Sequence, residues 1–137
     1  MKIKYDINLM KFMSLFESLT RAKLKDCFDV NETLVFVVDE GEIGKAIGKH
    51  AVNVKRIESM IKKKIRIIEF NPVMLEFVKS VVYPLQLKDL REEEGVVMMA
   101  AVDSNTRGLL IGRSAQNLRF FESIIKRFFD VKELKVA

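Results

Sequence analysis

One stretch of this chain is written twice. Residues 44–62 read GKAIGKHAVNVKRIESMIK, and residues 108–126 read GLLIGRSAQNLRFFESIIK, sixty-four positions later. Nine of the nineteen positions are identical: Gly44, Ile47, Gly48, Ala51, Asn53, Glu58, Ser59, Ile61 and Lys62 recur as Gly108, Ile111, Gly112, Ala115, Asn117, Glu122, Ser123, Ile125 and Lys126. Basic charge is kept where identity is not, because Lys49, Lys55 and Lys63 answer to Arg113, Arg119 and Arg127. A repeat at a fixed offset means one supersecondary unit used twice, and it overrides a reading of the 137 residues as one domain. The expected division is residues 1–70 and 71–137. Units this small bury little apolar surface alone, so they are expected to pack on each other. No Gly/Ser-rich linker separates them, which predicts a fixed mutual orientation.

Charge follows the repeat. Between Gly44 and Arg66 stand eight basic residues against Glu58 alone, and between Arg107 and Arg127 five against Glu122. These segments carry +7 and +4 in a chain whose net charge is +5, so the remainder is acidic. One basic run usually means a solvated helix face. Two at equivalent positions of a repeat are the footprint of a site for a polyanion. A hydrophobic content of 49% with 31% charged residues describes a globular chain. The amino terminus has no apolar signal-like run, and no stretch is long and apolar enough for a membrane span. With Cys27 the single cysteine, no internal disulfide forms, which suits a reducing, cytoplasmic setting.

Taken in order, Asp6 is placed to cap a helix running to about Arg21, with Leu9, Phe12, Met13, Phe16 and Leu19 on one apolar face. Strands follow over 25–30 and 33–38, joined by a tight turn at Asn31-Glu32. The second is apolar without interruption, as expected of a central or doubly covered strand. Residues 39–41 break it. A short helix over 43–47, the Gly48–Ala51 turn, a helix to about Lys63 facing inward through Val54, Ile57 and Ile61, and a strand at 64–67 complete the first unit. Asn71 and Pro72 then start a helix with Val73, Phe77, Val78 and Val81 inward, stopped by Pro84. A strand beginning at Leu85, Leu87 and Leu90 turns at 92–95 and returns over 96–102. A short helix at 106–110, the Gly112–Ala115 turn, a helix to Phe129 with Leu118, Phe121, Ile125 and Phe128 inward, and a strand over 131–136 close the chain. Each unit reads helix–strand–strand–helix–turn–helix–strand.

The repeated turn has chemistry of its own. Glycine between two helices lets a nucleic-acid backbone approach closely, because no side chain bars it. Helix amino-terminal amides supply unpaired donors and the positive end of a dipole, and Lys49 or Arg113 adds charge-assisted contacts to phosphate. Bases would lie along the following helix, within reach of Val52, Val54, Lys55, Gln116, Leu118 and Arg119. Single strands suit this geometry, since base edges must be free. Ala51 and Ala115 are expected to open a helix with negative φ, where alanine costs nothing, while their methyl groups crowd the closest approach. His50, the only histidine, reads as an exposed turn residue within reach of phosphate. Asn53 and Asn117 either read bases or bond local backbone. Phe120 and Phe129 are weighed as base-stacking rings against core rings, the core being favoured. Cys27 reads as a small buried hydrophobe. No metal cluster, nucleophile–base constellation, P-loop or dinucleotide fingerprint is present, so neither an enzyme nor a cofactor nor a small-molecule substrate is indicated.

A basic helix–turn–helix with the text IG[KR]xAxN[VL][KR], placed inside a small α/β unit, resembles the KH nucleic-acid-binding family, whose usual text is IGKGGxN[VI][KR]. The element order resembles its second topological type. Two units fused without a linker are similar to the tandem KH portion of the NusA family of transcription factors, over almost the whole chain. A free-standing pair is the form associated with archaeal NusA-like proteins; the polymerase-binding and S1 domains of the bacterial form have no counterpart in these residues. The resemblance implies an α/β (α+β) fold of two tandem type II KH domains, each a three-stranded sheet with three helices packed on it. It implies RNA contacts at Gly48, Lys49, His50, Ala51, Asn53 and Lys55, and at Gly112, Arg113, Ser114, Ala115, Gln116, Asn117 and Arg119. It names single-stranded RNA as ligand, RNA polymerase as a further partner, and transcription elongation or termination as the process. Two alternatives stand beside it: a ribosomal-RNA-binding protein of ribosome biogenesis, and a protein-interaction module whose altered turns no longer hold RNA.

Overall fold

The computed structural model describes residues 7–137, so the capping role expected of Asp6 lies outside the described residues. The chain divides into two compact units, one ending at Phe70 and the other Asn71–Ala137. The fold is mixed α/β, with two three-stranded sheets.

In the first unit, α1 (Ile7–Thr20) leads into β1 (Leu24–Val30) and β2 (Thr33–Val38). Asn31 and Glu32 turn the hairpin with φ of 47° and 68°. Two left-handed residues in a row match the right-handed twist of the strands they join. Then come α2 (Ile43–Ile47), a 3-10 turn, α3 (Val52–Ile61) and β3 (Lys64–Glu69). The sheet order is β1-β2-β3, antiparallel then parallel, so apolar β2 is central, and all but its first residue are buried. Phe16 of α1 stacks on Phe36 of β2 with ring centroids 4.3 Å apart. Leu34, Ala46, Ile57 and Ile65 join that core, with Val54 and Ile61 packed at its margin.

The second unit repeats the order: α4 (Met74–Val82), β4 (Leu87–Glu93), β5 (Val96–Ala101), α5 (Ser104–Ile111), a 3-10 turn, α6 (Gln116–Phe128) and β6 (Glu133–Val136), with sheet order β4-β5-β6. Phe77 lies edge-on to Phe128 at 5.3 Å and beside Phe129 at 5.6 Å. Leu118, Phe121, Ile124 and Ile125 form the buried face of α6. The hairpins are twins in detail. Leu24-Lys25-Asp26 and Leu87-Lys88-Asp89 share their sequence, and each carries the irregularity in its ladder at the lysine.

Several boundaries differ from expectation. The carboxamide of Asn71 accepts the N–H of Val73 at 2.8 Å, which holds Val73 extended as the residue before α4. Val73 is therefore 58% exposed rather than inward, and the helix begins at Met74. Glu92 and Glu93 belong to β4, and the turn narrows to Glu94-Gly95, again two positive φ values. α5 starts at Ser104 because Asp103 caps it, taking the N–H of Thr106 at 2.7 Å.

Candidate nucleic-acid interface

Both turns have the same unusual backbone. Gly48 lies at φ 76°, ψ 171° and Gly112 at φ 73°, ψ 177°, a region essentially closed to residues with a side chain. Two left-handed residues follow in each: His50 and Ala51 at φ 56° and 57°, Ser114 and Ala115 at 53° and 60°. The negative φ expected of Ala51 and Ala115 is thus overturned. The chain passes from one helix to the next within four residues, and left-handed steps make that turn. Alanine there carries a steric cost of roughly 1–2 kcal/mol, since Cβ crowds the following carbonyl.

What forces the turn is a clamp. The side-chain amide of Asn53 donates back to the carbonyl of Lys45 in α2 at 3.1 Å, and that of Asn117 to the carbonyl of Leu109 in α5 at 2.8 Å. Each asparagine crosses the turn and lies against its first glycine. A Cβ on Gly48 would stand 2.9 Å from Asn53 Nδ2, and one on Gly112 2.6 Å from Asn117 Cγ. The asparagines therefore bond backbone across the turn, and they position it.

Lys49, His50, Arg113 and Ser114 stand exposed on the turns, as do Lys55, Gln116 and Arg119 on the helices after them. Arg119 also pairs with Glu122 at 3.0 Å. Val52 is 44% exposed beside the first turn. Leu118 is 7% exposed and Val54 is half-buried at the core margin. Phe120 and Phe129 are half-buried, with ring contacts to Phe121 and Phe77.

Two features escaped the sequence. Glu58 accepts the N–H of Ile65 at 3.0 Å and Glu122 that of Leu134 at 2.8 Å, tying each long helix to the strand after it. Gly44 and Gly108 sit inside α2 and α5 with no atom within 4 Å of where a Cβ would be. Their recurrence at one repeat position was the signal that could have singled them out. Each opens a bare strip of helix one turn before the glycine of the turn.

Acids stand at the start of both entering helices. Glu42, before α2, accepts the N–H of Lys23 at 2.7 Å, and that bond first, then Lys45 nearby, holds its carboxyl below the ordinary value. Asp103 is lowered by its bonds to Thr106, the backbone N–H foremost. No group of three or more His, Cys, Asp or Glu able to hold a metal occurs among the described residues. None of the described helices is long and apolar enough to cross a membrane.

Comparison with known proteins places this geometry. A family model described as KH domain matches residues 13–84. A protein of Methanococcus vannielii named a probable transcription termination protein NusA is 34% identical, the match covering 100% of this chain and 81% of that one. Its namesake in Methanocaldococcus jannaschii is 30% identical over 98% of this chain and 75% of its own length, and that of Halococcus morrhuae 25% identical over the whole of both. The crystal structure of APE1850 superposes with a TM-score of 0.78 at 23% identity, over 97% of this chain and 100% of that one, a likeness of fold.

Proposed function

The chain belongs to the KH-domain family, in its NusA-like branch, and from that premise we propose that it is a cytoplasmic single-stranded RNA-binding factor of transcription elongation and termination, built as two tandem type II KH domains, residues 1–70 and 71–137. The observation that carries this reading is the clamped turn, present twice with the same backbone, the same asparagine and a basic residue at its exposed tip. Phosphates meet Lys49 and His50 in one turn, and Arg113 and Ser114 in the other. The glycines Gly48 and Gly112, with Ala51 and Ala115, form the floor over which the RNA backbone passes. Bases then run along α3 and α6 past Lys55, Gln116 and Arg119, while Asn53 and Asn117 hold the floor in shape. RNA polymerase is the protein partner that a role in transcription calls for.

A titration with short single-stranded RNAs tests this directly. Lys49→Asp with His50→Asp, and Arg113→Asp with Ser114→Asp, place negative charge in solvent-facing turns without touching the core. Each pair should weaken binding while leaving the circular dichroism spectrum and melting temperature nearly unchanged. Undiminished affinity in both double variants would remove the turns as the binding site. Co-purification with RNA polymerase rather than with ribosomal particles separates the transcription role from ribosome biogenesis.

A further inference from the structure

β4 is the outer strand of its sheet, and its surroundings differ from those of its twin. In β1 the middle residues Asp26, Cys27 and Phe28 are buried. In β4 only Leu87 and Leu90 are partly covered, and the other five residues are exposed. The two-residue turn at Glu94-Gly95 makes Glu93 and Val96 a hydrogen-bonded pair, and such pairs alternate along an antiparallel ladder. Arg91 and Glu93 thus spend their backbone groups on β5. Those of Leu90 and Glu92 point away from the sheet, offered to a further strand.

Charged residues on an edge strand ordinarily guard it against pairing. Such a guard works when a copy meets like charge. The signs here run the other way: Asp89 and Arg91 flank Leu90 with opposite charge, and outside them stand Lys88 and Glu92. We propose that β4 pairs antiparallel with β4 of a second copy of this chain, about a two-fold axis through Leu90, joining two three-stranded sheets into one of six. Around that axis Asp89 faces Arg91 of the second copy and Arg91 faces its Asp89, both at the non-hydrogen-bonded positions where side chains come closest. Lys88 and Glu92 fall opposite one another at the ends, and Leu90 meets its own counterpart. Among the described residues Lys88, Asp89 and Arg91 form no ion pair within the chain. The Glu92 carboxylate also accepts the Gly95 N–H at 3.0 Å. The ladder irregularity between Leu87 and Asp89 at one end and the hairpin turn at the other keep the pairing short. The association is accordingly weak and reversible, and the two-fold closes it at a dimer instead of a fibre. None of the turn residues takes part in the pairing.

Sedimentation of the full chain at concentrations rising towards millimolar tests it. The wild type should pass from monomer to dimer. Asp89→Arg and Arg91→Asp each replace two opposite-charged cross-strand pairs with two like-charged ones, and each should raise the dissociation constant about tenfold or more. An equimolar mixture of the two variants restores both pairs between unlike chains and should associate as the wild type does. The double variant D89R/R91D should do so with itself. Circular dichroism on each variant confirms that the exposed substitutions leave the fold intact. A wild type that stays monomeric, as it would if this edge served a strand of another protein, overturns the proposal. A dimer indifferent to either single swap, or a mixture that fails to associate, overturns it equally.

Discussion

Replacing Ala51 and Ala115 with glycine should stabilise this protein, against the usual sense of that substitution. Glycine in a right-handed helix destabilises by about 0.5–1 kcal/mol relative to alanine, through the freedom it adds to the unfolded chain. At Ala51 and Ala115 φ is 57° and 60°. There the native alanine is itself strained, and relief of the Cβ–carbonyl clash outweighs the entropic loss by about 1 kcal/mol per site. For a unit of this size that is a rise in melting temperature of roughly 4–8 °C. Urea and thermal unfolding of Ala51→Gly, Ala115→Gly and the pair measure it, with Ala46→Gly as the control. Ala46 is buried inside α2 at ordinary helical φ, so its replacement should lower stability by about 1 kcal/mol or more. RNA affinity should rise together with stability in the turn variants, since the methyl group that narrows the approach is gone. A loss of stability at Ala51 like that at Ala46 would refute the left-handed turn and return Ala51 to the first residue of an ordinary helix.

Four further outcomes follow from the same geometry. Gly44→Ala and Gly108→Ala should gain up to about 1 kcal/mol of stability while weakening RNA binding, because the methyl fills open helix surface where the ligand passes; unchanged affinity would assign that surface no role. Gly48→Ala and Gly112→Ala should cost on the order of 2 kcal/mol or more in denaturant titrations, Gly112 the more, since the Asn117 backbone nitrogen also lies 2.9 Å from its Cβ position. Asp103 has a lowered pKa, so its cap on α5 is complete above the ordinary carboxylate range and is lost as pH falls through the folded value. Its advantage over Asp103→Asn, read from melting temperatures, should therefore shrink on acidification, and a difference independent of pH would contradict the assignment. Neutralising Lys55 and Lys62 should flatten the dependence of log K on log salt more than neutralising Arg119 and Lys126, because the first motif carries +7 against +4. The slope should fall by about 0.7 for each phosphate that the variant no longer neutralises.

Where local chemistry decides structure, the sequence could be read to the residue. Asn31-Glu32 between two apolar runs marked a tight hairpin turn, and the uninterrupted 34–38 run marked a central or doubly covered strand. The limits of α2 at Ile43–Ile47 were equally plain. It failed where a long-range bond overrides local preference. Alanine is the best helix former, so propensity alone gives Ala51 a helical φ, and nothing local reveals that Asn53 reaches back to Lys45 and forces the chain round. Val73 fits the apolar spacing of α4, and only the bond from its N–H to Asn71 holds it outside the helix. The repeated turn was legible as a stretch, while the division of labour within it was not.

That division can be recovered by asking what each repeated identity is for. Gly48 with Asn53, and Gly112 with Asn117, build the clamp, which tolerates no substitute because the glycine has no room and the amide must donate. Glu58 and Glu122 keep one bond to the following strand although the donor lies seven residues ahead in one unit and twelve in the other, so the bond is retained where the spacing is not. These identities are scaffold. The exposed cations at the turn change freely between lysine and arginine, as groups meeting a phosphate from solvent are able to do. Gly44 and Gly108 fit neither class: identical in both units, costly in a helix, and required by no neighbouring atom. An identity that the fold does not need is the mark of something outside the fold, and on these two helices it lies one turn before the glycine of the turn, in the helix that leads to the cations proposed to hold the RNA.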